Sequence, residues 1–482
     1  MFVICQWLST KTDSFLSGSN SVYVEQMYEQ WVSDPKSVHP SWNAYFTNLE
    51  AGISSEEAFS APPAVGGSLG MANVGSARGH VQPGNASQPP MVSDSLGLSY
   101  LIRAYQVRGH EVANLDPLGM HSFRSPQPPP ELDYKYHGFT DADLDRTLNL
   151  LGRSTGGNTG YLDILGSTRP HITLRQVLSN LKKTYCSSLG VEYMHMQSQE
   201  KCNWVRDQVE NPKWMHFSKQ KKMHILERLC FADHFEQFLA NKYNTAKRFG
   251  LEGGESVIPG LKAMVDRGSE LGIESFVFGM PHRGRLNVLA NVMRKPLPQI
   301  FKEFEGTHYD LDEYLKHDWS SSGDVKYHLG TSMDRSYPDG RRVHLSLVAN
   351  PSHLEAVNPV AIGKIRAKQF LSGNKAEDKK RHMPVLLHGD AAFAGQGVVY
   401  ETLQMARVPD FAVGGTIHVI VNNQVGFTTD PRNGRSTQYS SDLAKAFDLP
   451  IFHCNGDDPM AVVTAFETAV EWRQKFGEDC II

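Results

Sequence analysis

Two short apolar runs, each followed by polar residues, constrain the fold of this 482-residue chain more than any other feature. Residues 384–388 lead into Gly389 and Asp390, and residues 416–421 lead into Asn422 and Asn423. Runs of this kind predict strands that are buried on both faces, as in parallel sheets. Because ligands bind at the carboxyl edge of such sheets, we expect these polar residues to lie together there.

The polar residues after these runs are of the types that bind Mg²⁺. This ion prefers one carboxylate together with neutral oxygens and the phosphates of its ligand. Asp390 offers a carboxylate, Asn423 an amide oxygen and Val425 a backbone carbonyl. Either dipeptide alone is more often an ordinary turn. Their spacing, however, fits one strand-helix-strand crossover, which favours a site for diphosphate-bound Mg²⁺ and therefore a thiamine diphosphate enzyme.

Composition and charge exclude several classes of protein. The net charge is -4 without a basic block, so we expect no nucleic-acid partner. No stretch of about 18 apolar residues occurs, so we expect no membrane span. The six cysteines lack CxxC spacing, which indicates free thiols in a reducing compartment.

Strand-like and helical stretches alternate in the second half of the chain, which predicts an α/β fold with a parallel sheet covered on both faces. The strand-like runs are residues 275–278, 343–349, 384–388 and 416–421. A helix is predicted from Ser93, as a possible N-cap, to Val112. Another is predicted after Ser218, with one apolar side formed by Leu226, Leu229, Phe235, Phe238 and Leu239.

The whole chain is predicted to contain four regions. They are an N-terminal arm with short helices at 1–50, a flexible Ala/Gly/Ser/Pro-rich linker at 51–92, a mainly helical region at 93–245, and an incomplete thiamine diphosphate- and Mg-binding α/β domain at 246–482. Apolar residues at helical spacing in the arm either pack on one another or contact a partner.

Four longer motifs carry a resemblance to a known family. They are residues 280–287 (MPHRGRLN), 323–328 (GDVKYH), 350–355 (NPSHLE) and 388–397 (HGDAAFAGQG). Together they closely resemble the 2-oxoglutarate dehydrogenase family, in its thiamine-dependent decarboxylating component. The resemblance extends from about Phe15 to the last residue.

The resemblance implies roles for particular residues. It places the catalytic residues His282 and His328 at the substrate, and Arg283 at the diphosphate of the cofactor. The other residues that it places at the cofactor are Ser352, Leu354, Asp390, Ala391, Ala392, Asn423 and Val425, of which Asp390, Asn423 and Val425 also hold Mg²⁺. Thiamine diphosphate is needed because no protein side chain can hold the electron pair that departing CO₂ leaves behind. His353 and His388 are expected to be structural.

The resemblance also implies a reaction and partners. The reaction is oxidative decarboxylation of 2-oxoglutarate in the tricarboxylic acid cycle, with transfer of the succinyl group to a lipoyl-bearing dihydrolipoyl succinyltransferase. Dihydrolipoyl dehydrogenase would complete the complex, and the full-length form would be a homodimer. The mitochondrial matrix is the expected location, although the first residues carry no positive charge until Lys11, unlike a presequence.

Three alternatives remain open. A 2-oxoadipate dehydrogenase component would share the cofactor motifs but act on a longer diacid. A catalytically inactive fragment that only binds partner subunits is favoured by the abrupt C-terminus, because members of the family continue into a second thiamine-binding domain. We therefore expect a truncated chain that is a poor catalyst alone. A generic Mg-phosphate module is disfavoured because the chain has no GxxxxGK[ST] loop.

Overall fold

The computed structural model describes most of the chain, in nine segments. They are residues 20–35, 37–38, 40–51, 91–120, 127–149, 171–210, 217–305, 328–351 and 353–482. The chain divides into two compact units, residues 1–87 and residues 88–482. Within the described segments, no helix combines the length and the apolar character that a membrane crossing requires.

The first unit contains two short helices, α1 (Asn20–Ser33) and α2 (Pro40–Glu50), as the helical spacing of its apolar residues predicts. Their aromatic side chains pack on one another, and Trp31, Tyr45 and Phe46 are buried. The indole Nε1 of Trp31 also donates a hydrogen bond to the side chain of Asn43 over 2.7 Å. The apolar residues of the arm therefore form a small core of their own.

The second unit contains the remaining elements. Its helices are α3 (Met91–Arg108), α4 (Leu174–Tyr185), α5 (Gln199–Glu210), α6 (Lys219–Lys242), α7 (Val257–Glu270), α8 (Arg285–Asn287), α9 (Leu297–Glu305), α10 (Val357–Leu371), α11 (Ala376–Arg381), α12 (Asp390–Gly395), α13 (Gly397–Met405) and α14 (Pro459–Phe476). Its strands are β1 (Thr147–Asn149), β2 (His171–Thr173), β3 (Leu189–Glu192), β4 (Ser275–Gly279), β5 (Thr331–Ser336), β6 (Arg342–Leu347), β7 (His382–Gly389), β8 (Ile417–Val421), β9 (Ile451–Cys454) and β10 (Cys480–Ile481). Short 3₁₀ turns include Gly109–Val112 and Ser440–Phe447.

Eight strands form one sheet in the order β3-β9-β10-β8-β7-β4-β6-β5. All neighbours from β9 to β6 are parallel, and an antiparallel strand lies at each edge. The predicted α/β fold with a parallel sheet is confirmed, and the predicted strands correspond to β4, β6, β7 and β8. Strands β1 and β2 form a separate antiparallel pair.

The central strands are buried on both faces because helices cover each side of the sheet. Phe276 and Phe278 of β4 belong to the large core that includes residues of α7 and α14. Val277, between them, points to the opposite face and packs in a smaller core with Ile365 of α10 and Leu386 of β7. Successive side chains of β4 thus point to opposite faces and pack in two different apolar cores. Residues 276–278 of the strand are therefore apolar at every position.

The apolar side predicted for the helix after Ser218 is only partly correct. Ser218 does cap α6, since its hydroxyl accepts a hydrogen bond from the backbone N–H of Lys221 over 3.1 Å. Phe235 is buried, but Leu226 and Phe238 are 52% and 46% exposed. Leu226 precedes Phe235 by nine residues, or about two and a half turns, so it points to the opposite side of the helix.

The predicted start of the earlier helix also needs correction. Helix α3 begins at Met91 and continues to Arg108, so Ser93 lies inside the helix and is not its N-cap. The last predicted residues, up to Val112, form a 3₁₀ turn in place of α-helix.

Candidate cofactor and substrate site

Four neighbouring strands bring the predicted site residues to one edge of the sheet. The strands β8, β7, β4 and β6 are adjacent and parallel, so their carboxyl ends point the same way. Gly389, the last residue of β7, lies opposite Val421, the last residue of β8. Asp390 and Asn422 therefore emerge side by side, as the two apolar runs predict.

Asp390 has the environment of a metal ligand. It is only 2% exposed, and its Oδ2 accepts a hydrogen bond from Nη1 of Arg435 over 3.2 Å. Its Oδ1 is buried and has no hydrogen-bond partner among the described residues. Burial raises the pKa of Asp390, and the neighbouring Arg435 only partly opposes this rise. Burial of a carboxylate oxygen without a hydrogen-bond donor lowers the stability of the fold, and a cation bound at Oδ1 would compensate for this loss.

The residues after β8 form a tight turn that presents oxygen atoms. The side-chain Oδ1 of Asn422 accepts from the backbone N–H of Gln424, and Oδ1 of Asn423 accepts from that of Val425, each over 3.0 Å. Gln424 adopts the left-handed conformation with φ of +59°. An amide oxygen has two lone pairs, so Asn423 keeps one for a further ligand.

The first turn of helix α12, which follows β7 directly, approaches the turn after β8 closely. A methyl group placed on Gly426 would lie 3.7 Å from Cβ of Ala391, the second residue of α12. Ala392, the next residue, is buried beneath this contact. The first turn of helix α12 thus faces the turn after β8, a placement that suits a shared diphosphate and metal. The first turn carries Asp390, Ala391 and Ala392, and the turn after β8 carries Asn423 and the exposed Val425.

A cavity of about 410 Å³ opens beside these loops. Its wall includes Asn423 and Arg435, and Arg435 therefore links the cavity to the carboxylate of Asp390. The loop from Leu251 to Gly254 forms another part of the wall. Tyr439 and His453 form a third part of it. This volume is typical of sites for small organic ligands.

His282 and Arg283 follow β4 and contact the loop after α6. The ring of His282 lies 4.2 Å from that of Phe249 between centroids. Arg283 donates from Nη1 to the backbone oxygen of Gly250 over 3.1 Å and lies 3.5 Å from Glu252 Oε2. Burial is the main cause that lowers the pKa of His282, and the positive charge of Arg283 and the nearby His328 lower it further. We therefore expect His282 to be neutral at neutral pH.

Glu236 holds this loop in place, a role that the sequence alone did not indicate. Both of its carboxylate oxygens accept from the backbone N–H of Leu251 over 2.9 Å. Its Oε1 also accepts from Nδ2 of Asn287 over 2.8 Å, which ties the loop to helix α8. Glu236 is therefore a positioning residue for the loop that contacts His282 and Arg283.

Arg285 connects the strand ends beneath the site and was also missed from the sequence. It is 0% exposed, and its guanidinium donates to the backbone oxygens of Met280 (2.9 Å), Leu329 (3.0 and 2.9 Å) and Val348. Since Met280 follows β4 and Val348 follows β6, this one side chain fixes both strand ends and the segment at His328. Its position two residues after Arg283 in the same motif could have drawn attention to it.

The remaining predicted residues lie at the end of β6 or beside it. His328 is buried, and its backbone oxygen accepts from the N–H of Asn350 over 3.0 Å. Leu354 is half-buried in the turn before α10. Ser352 lies outside the described residues.

Glu355, a buried carboxylate next to Leu354, forms a hydrogen bond with His388, which was expected to be structural. Glu355 is fully buried, and its Oε2 lies 2.6 Å from Nδ1 of His388. The other ring nitrogen of His388 lies 3.1 Å from Nδ1 of His418 on the adjacent strand. His353 is exposed. His388 thus contributes to a buried polar network beneath the strand ends.

Comparison with known proteins agrees with this architecture. The model of the family "Dehydrogenase E1 component" matches residues 227–482, and that of "2-oxoglutarate dehydrogenase N-terminus" matches residues 13–52. The mitochondrial 2-oxoglutarate dehydrogenases of Dictyostelium discoideum and Saccharomyces cerevisiae are 51% and 48% identical to the chain over 98% of its length. A mitochondrial 2-oxoglutarate dehydrogenase-like protein of Xenopus laevis is 44% identical over 98% of the chain.

The chain spans 44%, 46% and 45% of the length of these three relatives. The first family model covers seven of the eight strands of the sheet, the segments that carry Asp390 and Asn423, and the motif around His282. Since that match extends over more than half of the chain and includes the candidate site, the chain belongs to the dehydrogenase E1 component family.

Proposed function

We propose that this chain provides the Mg²⁺- and thiamine diphosphate-binding part of an enzyme that oxidatively decarboxylates 2-oxoglutarate. Dehydrogenase E1 components depend on thiamine diphosphate. The observation that carries the proposal is the buried Oδ1 of Asp390, which has no hydrogen-bond partner among the described residues and lies at the sheet edge beside the Asn423 turn. The names of the relatives favour 2-oxoglutarate over 2-oxoadipate as the substrate.

The residues at the sheet edge fit the cofactor in both charge and chemistry. Asp390 would bind Mg²⁺ through its carboxylate, Asn423 through its amide oxygen and Val425 through its backbone carbonyl. Arg283 would donate to the diphosphate oxygens, and Ser352, Leu354, Ala391 and Ala392 would line the cofactor. When bound, thiamine diphosphate supplies the electron sink that decarboxylation of a 2-oxo acid requires.

His282 and His328 would serve the substrate. His282, which is neutral at neutral pH because burial lowers its pKa, can donate its ring N–H to a substrate carboxylate or accept a proton during the reaction. The two histidines follow β4 and precede β5, at the edge where Arg285 joins the strand ends. A dicarboxylic acid requires such polar groups at both ends, which distinguishes it from an acid with an apolar tail.

The same proposal extends to assembly and location. The succinyl group would pass to a lipoyl-bearing dihydrolipoyl succinyltransferase, and dihydrolipoyl dehydrogenase would reoxidise the lipoyl group. The full-length form would act as a homodimer in the tricarboxylic acid cycle. We propose the mitochondrial matrix as its location, since the relatives carry the word mitochondrial in their names.

A substrate comparison tests the proposed reaction. Because the chain spans less than half of the length of its relatives, the assay uses residues 1–482 joined to the C-terminal part of the Dictyostelium relative. We expect Mg²⁺- and thiamine diphosphate-dependent release of CO₂ with a higher kcat/KM for 2-oxoglutarate than for 2-oxoadipate or pyruvate. A higher value for 2-oxoadipate would support the alternative substrate. Binding of the cofactor without any turnover would support the inactive partner-binding alternative.

Substitution of the histidines tests their proposed roles in the same fused protein. We expect His282→Ala and His328→Ala each to lower kcat/KM for 2-oxoglutarate on the order of 100-fold, because a positioned acid or base is lost. Affinity for Mg²⁺-thiamine diphosphate, measured by calorimetry, should change little. The exposed His353→Ala is the matched control and should retain both activity and affinity. An equal loss of cofactor affinity in the two variants would place these histidines at the diphosphate instead.

A further inference from the structure

A second cluster of metal-ligating side chains lies beside the same cavity, and one of its members, His453, lines the cavity wall. His110, Glu192 and His453 each offer one ligand atom, and these atoms all lie within 4.8 Å of one another. Nε2 of His453 lies 2.8 Å from Oε1 of Glu192, and Nε2 of His110 lies 3.5 Å from Oε2. None of the three was singled out by sequence reasoning, and none belongs to the site around Asp390.

The fold itself brings these residues onto one face. Strands β3 and β9 are antiparallel, with Gly190 opposite His453, so Glu192 and His453 point to the same side of the pair. His110, in the 3₁₀ turn after α3, approaches over Gly190, and a methyl group on that glycine would lie 3.0 Å from Cβ of His110. The missing side chain at Gly190 therefore lets His110 approach the strands closely.

Hydrogen bonds outside the cluster direct its ligand atoms inward. Nδ1 of His110 lies 3.0 Å from the hydroxyl of Tyr439, and that hydroxyl also lies 3.3 Å from the backbone oxygen of His110. If Nδ1–H donates to the hydroxyl and the hydroxyl donates to the backbone, Nε2 of His110 presents a lone pair to Glu192. Metal-binding histidines are commonly oriented by a hydrogen bond of this kind at the other ring nitrogen.

We propose that His110, Glu192 and His453 form a binding site for a transition-metal dication of the Zn²⁺ class. Two imidazole nitrogens and one carboxylate are a common ligand set for Zn²⁺. Bonds of about 2.0–2.2 Å at tetrahedral angles place neighbouring ligand atoms roughly 3.3 Å apart. The nitrogens of His453 and His110 lie 2.8 and 3.5 Å from Oε1 and Oε2 of Glu192, so the carboxylate offers an oxygen to each ring and small side-chain movements would bring the ligands to one ion. The site is separate from the proposed Mg²⁺ site and does not depend on the proposed reaction.

The cavity gives the cluster a route of entry and leaves room for a fourth ligand. Tyr439 and His453 line the cavity, whereas His110 and Glu192 are buried and do not line it. A metal held by the three side chains would direct its open position toward this space. His453 would then carry its proton on Nδ1, because its Nε2 would bind the metal in place of a hydrogen atom.

Lys445 is the group with which the metal must compete. Its ammonium lies 2.6 Å from Oε2 of Glu192 and 2.7 Å from Oδ1 of Asp442. The Lys445 side chain is 38% exposed, so it can leave Glu192 and remain paired with Asp442. A dication would then replace a single positive charge at Glu192. Removal of the Lys445 charge should consequently strengthen binding of the metal, which a purely structural ion-pair network does not predict.

Calorimetric titration with Zn²⁺ in excess Mg²⁺ tests the proposal. The chain carries Cys230→Ser throughout, because this exposed thiol could bind zinc adventitiously. We expect one zinc site, with affinity reduced in His110→Ala and in His453→Ala by more than the roughly 10–100-fold typical of losing an outer partner. Tyr439→Phe should show a loss within that range. Lys445→Met should bind zinc more tightly, a gain that misfolding cannot produce.

Matched controls separate this site from others. Asp390→Ala and His344→Ala should leave zinc affinity unchanged. His344, on β6, is paired with Asp334 of the edge strand β5. Co²⁺ should give the intense visible absorption of a tetrahedral site in the Lys445→Met protein. Undiminished zinc binding in the His110→Ala, His453→Ala double variant would overturn the proposal, as would weaker binding in Lys445→Met. Failure of both the parent and Lys445→Met to bind zinc would also overturn it.

Discussion

Asp390→Ala should abolish measurable binding of Mg²⁺-thiamine diphosphate while the fold persists. Asp390 is the only carboxylate assigned to Mg²⁺, and its buried Oδ1 has no competing donor among the described residues. Loss of a metal ligand should exceed the roughly 10–100-fold effect of losing an outer-shell partner. Isothermal titration of the metal-cofactor mixture into the chain measures the change.

Replacement of the Asp390 carboxylate by the amide in Asp390→Asn should not destabilise the metal-free protein. Burial raises the folded-state pKa of Asp390, so this group favours folding at pH below its unfolded pKa and loses that contribution as pH rises through the folded pKa. Near neutral pH the buried, charged carboxylate of Asp390 therefore lowers the free energy of unfolding. We expect Asp390→Asn to melt at the same temperature as the parent or higher, yet to bind the cofactor weakly.

An exposed aspartate in the neighbouring loop provides the control for both measurements. Asp430 pairs locally with Arg432, and Asp430→Ala should bind Mg²⁺-thiamine diphosphate like the parent. If Asp390→Ala bound the cofactor as tightly as Asp430→Ala, the assignment of the metal site would be wrong.

Arg285→Met should lower the free energy of unfolding by several kcal/mol. The guanidinium is fully buried and donates to backbone oxygens of Met280, Leu329 and Val348. Methionine fills a similar space but donates nothing. A buried acceptor without its donor costs about 1–3 kcal/mol. Met280 retains a hydrogen bond from Asn350, so Leu329 and Val348 account for most of the loss. Urea unfolding followed by circular dichroism measures it.

Arg283→Met is the matched control because Arg283 lies on the same turn as Arg285 but is only half-buried. Among the described residues, the polar contacts of Arg283 are those to Gly250 and Glu252 given above. We expect its removal to cost less than about 1 kcal/mol of stability but to weaken cofactor binding. Equal unfolding midpoints for the two variants would contradict the proposed division of roles.

Local patterns were sufficient to predict the sheet and one of its edges. Residues 384–388 and 416–421 are apolar because both faces of β7 and β8 are covered, so their carboxyl ends could be recognised before the fold was known. The helix after Ser218 shows the limit of this approach. Its apolar residues lie on more than one side, and only the packing of neighbours decides that Phe235 is buried and Leu226 exposed.

The sequence by itself determined the parallel sheet, the polar residues that follow β7 and β8, and the order in which the motifs follow the strands. These features depend on periodicity and on residue chemistry within a few positions of one another. Only the tertiary structure decided that Arg435 pairs with Asp390, that Glu236 supports the loop at Leu251, and that His110 joins Glu192. Their partners lie far apart in the chain, and such pairing depends on how whole strands and helices pack.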